Sequence, residues 1–443
     1  MELRSKAARE AFFTTAMYVK VFYPLWFYHQ QSRLPPTNRL LGPERMSPLF
    51  GLIVAPNDDT LYAATPMNLA GDPVILTIPE TTTTYSLLSV DYFGNVFETG
   101  IPPATPGTYA LIGPGWSGAL PHDIIPIEVP EPYSVWVIRS DNGVDPEEAD
   151  LFRRSLRLAP LAEYLQDPTA GATLVVPVAF YAVRFKAVAD RLIEELPIAF
   201  LEQLREAVRA PETPPLSPFE QRLSDRFDQL FDDLNADSAL GFIAGARRAH
   251  ARILRRYVSN TGTTNWITFT NIGAWGRRYL DRAAIAEFLQ ITNTRNTAAY
   301  YHAFEDRRGA QLNARARSCY VLTFPRRRIP EAKRFWSVTA YLPESITLVP
   351  NDAEKYVVAS YTPGLETGPD GSISIYMTPE LPSTIPAANW LPVPIGQFNV
   401  ILRVYGPEGS VANNTFVPPG IESLGPDCRR PPGREPAGAS SAG

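Results

Sequence analysis

From about Gly51 to Ser140 the chain alternates short apolar runs with turn residues. Pro73 to Pro79, Tyr85 to Asp91, Tyr109 to Gly113 and Tyr133 to Arg139 are such runs, and Gly94-Asn95, Pro114-Gly115 and Asn142-Gly143 punctuate them. This spacing predicts antiparallel strands of a sandwich or barrel. Between about Glu147 and Arg308 the period lengthens to three and four, which predicts helices over Phe180 to Glu195, Phe200 to Val208, Phe219 to Leu234 and Ala244 to Tyr257. The last of these carries Arg247, Arg248, Arg252, Arg255 and Arg256, a row expected to be solvated or to pair with the acidic face of the helix before it. Asp281 to Thr292 reads as a further helix with Asp281 as its N-cap. From Ser318 the strand pattern returns in Cys319 to Phe324, Phe335 to Tyr341, Lys355 to Tyr361, Ser372 to Tyr376 and Phe398 to Tyr405, a second β-region. In Phe335 to Tyr341 the alternation assigns Trp336, Val338 and Ala340 to a core face. In the last strand it does the same for Phe398, Val400, Leu402 and Val404.

The run from Ala16 to Tyr28 is apolar but carries Lys20 and Pro24. A membrane span needs about 20 predominantly apolar residues, so the run is expected to be a helix capping a hydrophobic core, and the protein to be cytoplasmic, with no membrane partner. A net charge of −5 gives no basic footprint for nucleic acid. The 44 prolines suit many strands and turns. Cys319 and Cys428 are too few for a disulfide framework, and Cys319 is expected to be a buried thiol. His29, His122, His250 and His302 are far apart in sequence, so no zinc spacing exists and no metal is expected. Gly-x-Ser-x-Gly, Gly-x-Gly-x-x-Gly and P-loop sequences are absent, so no nucleotide cofactor is expected.

Asn57-Asp58-Asp59-Thr60-Leu61-Tyr62 sets two carboxylates side by side after Pro56. A carboxylate held against another, or against apolar walls, can have its pKa raised into the range of a general acid or base. The same segment also reads as an Asx-turn, and its oxygens could suit Ca²⁺, although the Asp-x-Asp-x-Asp-Gly pattern is missing. Arg403 sits in mid-strand among apolar residues and so needs a partner, either a protein carboxylate or a substrate oxyanion. Arg139 raises the same question. Tyr341, beside hydroxyl residues, and Trp390, at a turn, are candidates to shape a pocket. His29 is a candidate proton shuttle.

Asn57 to Tyr62, Asp72-Pro73-Val74 and Tyr85 to Asp91 resemble the first part of a two-part bacterial family, domain of unknown function 1254 followed by domain of unknown function 1214. Tyr300, Asp306, Gly309, Phe335 to Tyr341, Asp370-Gly371-Ser372, Asn389 to Pro394 and Arg403 to Pro407 resemble the second. The resemblance runs from about residue 50 to 420. It implies two jelly-roll β-sandwich domains with helices between them, and self-association into a homo-oligomer. It supplies no activity, so no catalytic residue carries over. Family members often begin with a secretion or lipoprotein signal; no such layout is read in the first residues here, so none is expected, and the Pro/Arg-rich tail is expected to be an addition to the common core.

The fold expectation is therefore mainly β with helical segments (α+β), two antiparallel jelly-roll-like sandwiches joined by a helical region. The expected division is a helical arm over 1–50, a first sandwich over 51–146, helices over 147–308, a second sandwich over 309–425 and a disordered tail over 426–443. The functional expectation is a metal-independent enzyme of specialised metabolism, acting on a small, largely apolar molecule by hydrolysis, elimination or cyclisation. In this scheme Asp58 or Asp59 is the acid or base, Arg403 and Tyr341 assist, and Asn57, Tyr62, Trp336, Trp390 and His29 line the site. The alternative is a carbohydrate- or ligand-binding twin jelly-roll protein without catalysis.

Overall fold

The computed structural model describes residues 5–425 and Cys428. The tail expected over 426–443 otherwise lies outside the described residues. The chain is mixed α+β and forms two compact units. The first takes the chain through Asn260, then Phe269–Thr297 and Glu344–Thr347. The second takes Thr261–Thr268, Ala298–Pro343 and the chain from Leu348.

The first unit is organised around the helix Lys6–Ser32, whose N-terminus is capped by the Ser5 hydroxyl accepting from the Ala8 N–H at 3.0 Å. Apolar residues occupy every side of it from Tyr18 to Tyr28, so it is enclosed by other helices and does not merely cap a core. Ala236–Val258 lies against it. A side chain at Gly241 would stand 2.1 Å from the Ala8 carbonyl oxygen, so only glycine allows the two backbones to approach this closely. Phe185–Glu195, Pro197–Arg209, Pro218–Asp232 and Tyr279–Phe288 complete the helical layer. Asp281 is not an N-cap. The helix starts two residues earlier at Tyr279, and Asp281 holds Arg256 Nε at 2.6 Å. Of the two expectations for the arginine row, the solvated one holds, since Arg247, Arg248, Arg252 and Arg255 are exposed, and pairing with the acidic helix is not seen among the described residues. Asp228 of that helix is taken by Arg205 at 2.6 Å and Arg209 at 2.7 Å, both from Pro197–Arg209.

The same unit holds a six-stranded sheet in which Thr60–Asn68 pairs antiparallel with Tyr133–Asp141, and Tyr85–Val90 flanks the latter on its other side. Tyr62 stands opposite Arg139. One face contributes Ala63, Trp136 and Ile138 to a core shared with Leu76, Tyr109 and Leu158 of a four-stranded sheet. Because side chains alternate, Tyr62 and Arg139 lie on the opposite face.

In the second unit Asn399–Pro407 runs between Ala298–Ala303 and Ala332–Tyr341 in a five-stranded sheet. Trp336, Val338, Ala340, Phe398, Val400, Leu402 and Val404 form its core face, as the alternation predicts. Leu322 and Ile375, from a neighbouring four-stranded sheet, share that core. None of the described sheets closes on itself, and no helix among the described residues is long and apolar enough to cross a membrane.

Cys319 is not a free thiol. It forms a disulfide with Cys428 across a sequence separation of 109 residues. Two cysteines so far apart give no spacing signal, so the pairing was invisible in the sequence. Disulfides typically stabilise a fold by about 2–4 kcal/mol, and chain entropy puts a loop of this length near the upper limit of about 5 kcal/mol. Reduction is therefore expected to shift the urea midpoint downward by a corresponding amount. Coincident unfolding curves with and without reductant would show that the tie contributes nothing.

Candidate functional site

The Asn57–Tyr62 segment leads into the strand Thr60–Asn68, and its residues divide the work. The Asn57 side-chain oxygen accepts from the Thr60 hydroxyl at 3.0 Å, which makes the expected Asx-type turn. The Asn57 backbone N–H donates to the Tyr62 hydroxyl at 3.2 Å, so the tyrosine folds back on the turn. Asp59 is fully buried. Asp58 is partly buried and accepts no hydrogen bond from the described residues. Burial, and then the neighbouring Asp59 carboxylate, push its carboxyl up to about 7.

The Tyr62 ring walls a small apolar pocket of about 40 Å³ shared with Phe50, Leu52, Ile53 and Tyr181. Arg139 is the charged residue lining it. It is only 4% exposed and stacks its guanidinium 5.3 Å from the Tyr62 ring centre. Its Nη2 donates to the Ile291 carbonyl at 2.8 Å, while its buried Nη1 has no hydrogen-bond partner.

His29 lies elsewhere in the first unit, at the wall of an open cavity of about 750 Å³. Its Nε2 is 3.1 Å from the Thr213 hydroxyl oxygen. That hydroxyl donates to the Ala207 carbonyl at 2.7 Å, so the imidazole Nε2 carries the proton. Burial and the Arg33 charge lower His29 to about 4, so it is neutral at pH 7. The cavity's arginines are internally paired, Arg33 with Glu206 at 2.7 Å and Arg205 and Arg209 with Asp228.

The remaining candidates fall in the second unit. Trp336 is buried in the apolar core against Phe324. Trp390 is half-buried, and its indole N–H donates to the Thr378 hydroxyl at 2.9 Å. Arg403 and Tyr341 are brought together, guanidinium over ring at 5.6 Å, on the face opposite the core. That face also buries His302, Ser337, Thr339 and Asn399. His302 Nε2 donates to the Asn399 side-chain oxygen at 2.7 Å, and burial lowers this imidazole to about 3. The alternation marked the face, but nothing in the sequence linked His302 to Asn399.

One cluster escaped the sequence reading entirely. Lys186 and Asp190 of one helix meet His250 and Glu287 of two others and Tyr23 of a fourth. His250 Nε2 lies 3.2 Å from Asp190 and 3.9 Å from Glu287. The Lys186 ammonium binds both acids, at 2.8 Å for Asp190. Tyr23 donates to Glu287 at 2.6 Å. Asp190, His250 and Glu287 present three ligand atoms within 4.8 Å of one another, as a metal would require. Lys186 already supplies the cation there. Burial opposes charge on His250, but the two carboxylates outweigh it and raise the imidazole to about 9. Two anions and two cations therefore balance, which is the arrangement of a buried ionic lock.

Two family models match the chain, "Protein of unknown function (DUF1254)" over residues 37–160 and "Protein of unknown function (DUF1214)" over 297–409. The chain belongs to this two-part family. A solved protein from Vibrio parahaemolyticus is similar to this member at 18% identity and a TM-score of 0.59, covering 94% of this chain and 100% of its own. An uncharacterised protein from Burkholderia cenocepacia is similar at 14% identity and a TM-score of 0.43, covering 94% of this chain and 92% of its own. No functionally curated protein matches. The Vibrio likeness shows that the fold is shared.

Proposed function

We propose that this family member is an acid–base enzyme acting on a small, largely apolar organic molecule, with Asp58 as its proton-transfer group. The observation that carries the reading is Asp58 itself, a partly buried carboxyl with no hydrogen bond to hold it ionised, beside the buried Asp59. A structural turn carboxylate accepts backbone amides, as Asp91 does from Phe93 and Asn95 at 2.8 Å each. Asp58 accepts none among the described residues. A carboxyl pushed to about 7 exchanges protons at neutral pH, as general acid–base catalysis requires. Within the same short segment Tyr62 walls an apolar pocket. Hydrolysis is the nominal reaction, since water is its only co-reactant, and elimination or cyclisation needs the same equipment.

The shared core in each unit supports reading the two β-regions as jelly-roll-like sandwiches. The Cys319–Cys428 disulfide supports an oxidising compartment over the expected cytoplasm.

The direct test needs no substrate. Infrared titration of the carboxyl band, as a difference between wild type and Asp58→Asn, is expected to show a carboxylic acid that ionises with a midpoint near 7. A midpoint below about 5, in the range of an ordinary carboxylate, would end the reading.

A further inference from the structure

Three helices end at the open cavity of about 750 Å³ that His29 lines. From their last turns, Lys6–Ser32 contributes His29 and Ser32, Pro197–Arg209 contributes Glu206 and Arg209, and Pro218–Asp232 contributes Phe231. A helix C-terminus carries roughly half a negative charge, which a nearby cation stabilises. The last turn of Pro218–Asp232 has no basic residue, and that of Lys6–Ser32 has only His29, which is neutral at pH 7. The side chains deepen this field. Glu202, Glu206 and Glu212 line the cavity together with Arg33, Arg205 and Arg209. Each arginine is already held by a carboxylate, Arg33 by Glu206, Arg209 by Asp228, and Arg205 by Asp228 and by Asp232 at 2.5 Å. With those partners counted, five carboxylates stand against three guanidiniums. The two left over are Glu202 and Glu212, which make no ion pair among the described residues.

We propose that this cavity binds an aliphatic polyamine, its ammonium groups on Glu202 and Glu212 and its methylenes along Met67, Tyr92 and Tyr133. The volume lies within the range of about 300–1,000 Å³ usual for small-molecule sites. Burial raises the Tyr92 hydroxyl to about 12, and the Glu212 carboxylate adds to the rise, so a neutral aromatic ring stands near that acid. An ammonium placed there gains from both the carboxylate and the ring. His29 adds an acceptor, because its Nε2–H goes to Thr213 and its Nδ1 has no hydrogen-bond partner among the described residues. A divalent metal ion fits less well, since it needs several oxygen ligands converging on one point. Among the described residues the ligand atoms that converge in this way belong to Asp190, His250 and Glu287, none of which lines the cavity. Acids that do not converge, on an aromatic wall, suit a ligand whose charges are spaced along a chain. No residue of the Asn57–Tyr62 segment lines the cavity, so the assignment stands apart from the acid–base reading of Asp58.

The test is calorimetric titration of the full chain with spermidine at neutral pH. A double variant, Glu202→Gln with Glu212→Gln, is expected to bind it about tenfold or more weakly, since two ion pairs of modest strength are removed together. A chain of net charge −5 attracts any polycation, so the control is a second double variant, Glu128→Gln with Glu195→Gln. It removes the same charge from exposed positions outside the cavity, and its affinity is expected to stay within about twofold of wild type. On the wild type, spermidine is expected to bind about tenfold or more tighter than Mg²⁺. That comparison decides by itself should circular dichroism show that the cavity variant does not fold. No spermidine binding, an affinity unchanged in the cavity variant, an equal loss in both double variants, or parity with Mg²⁺ overturns the proposal.

Discussion

Replacing Asp58 with asparagine is expected to make the protein more stable at pH 8 and less active. The stability gain follows from linkage. The Asp58 carboxyl, ordinarily at 3.8, is pushed to about 7 in the fold. Between those values the folded state binds more protons than the unfolded state, so stability falls as pH rises through the window. Below pH 3.8 both states are protonated and there is no penalty. Above 7 the penalty is complete. A displacement from 3.8 to about 7 corresponds to about 4 kcal/mol, and partial contact with solvent reduces this to about 2–4 kcal/mol. Asparagine keeps the shape and removes the charge. Melting curves of wild type and Asp58→Asn should therefore coincide near pH 3.5 and separate at pH 8, with the variant melting higher. Hydrolysis of p-nitrophenyl acetate, a small activated ester, is expected to fall by about 10²–10⁴-fold, the usual contribution of a positioned proton-transfer group. A variant that melts lower at pH 8 would mark Asp58 as a structural residue and remove the basis for the catalytic reading.

Glu287→Gln is expected to be the most destabilising single change in the helical layer. Glu287 is fully buried and receives the Tyr23 hydroxyl, the Lys186 ammonium and the His250 imidazole. Its removal leaves Lys186 and His250 facing Asp190 alone, an excess positive charge away from water. Breaking a buried pair in this way costs about 3–5 kcal/mol. Urea denaturation near pH 7 measures it, and an unchanged midpoint would refute the lock. The pH dependence gives an independent check. His250 is raised from 6.5 to about 9, so its stabilisation is fully present below 6.5 and is lost as pH rises through 9. The rise corresponds to about 3 kcal/mol. Wild type should lose stability across that window. Glu287→Gln should lose much less, because its His250 titrates lower. The groups facing the imidazole are Tyr23, Lys186, Asp190 and Glu287, and proton NMR of His250 reports them together.

What the sequence revealed and what it concealed divide along physical lines. Strand runs such as Cys319–Phe324 were legible at both ends because alternation is a local signal. The core faces of Ala332–Tyr341 and Asn399–Pro407 were legible for the same reason. The Asn57–Tyr62 turn and its adjacent carboxylates were also local, and so was the oddity of Arg139 in mid-strand. The ionic lock was not, since its five residues come from four helices spread over most of the first unit. The Cys319–Cys428 tie failed for the same reason. Asp281 misled because the helix begins at Tyr279 after Arg278, without a capping side chain, and the nearest acid looked like a start. The arginines of Ala236–Val258 were correctly seen as a row. Which acids an arginine meets depends on helix packing, and that is not written in periodicity.

The enclosed first helix has a consequence for how the protein is made. Lys6–Ser32 carries the longest buried apolar stretch of its layer, yet the helix that lies along it begins only at Ala236, and Tyr279–Phe288 comes later still. A ribosome delivers the chain at about 5–20 residues per second. The stretch from Tyr18 to Tyr28 therefore leaves the exit tunnel many seconds before the surfaces that will cover it exist. During that interval the nascent chain carries an apolar segment whose main covering surfaces have not yet been made.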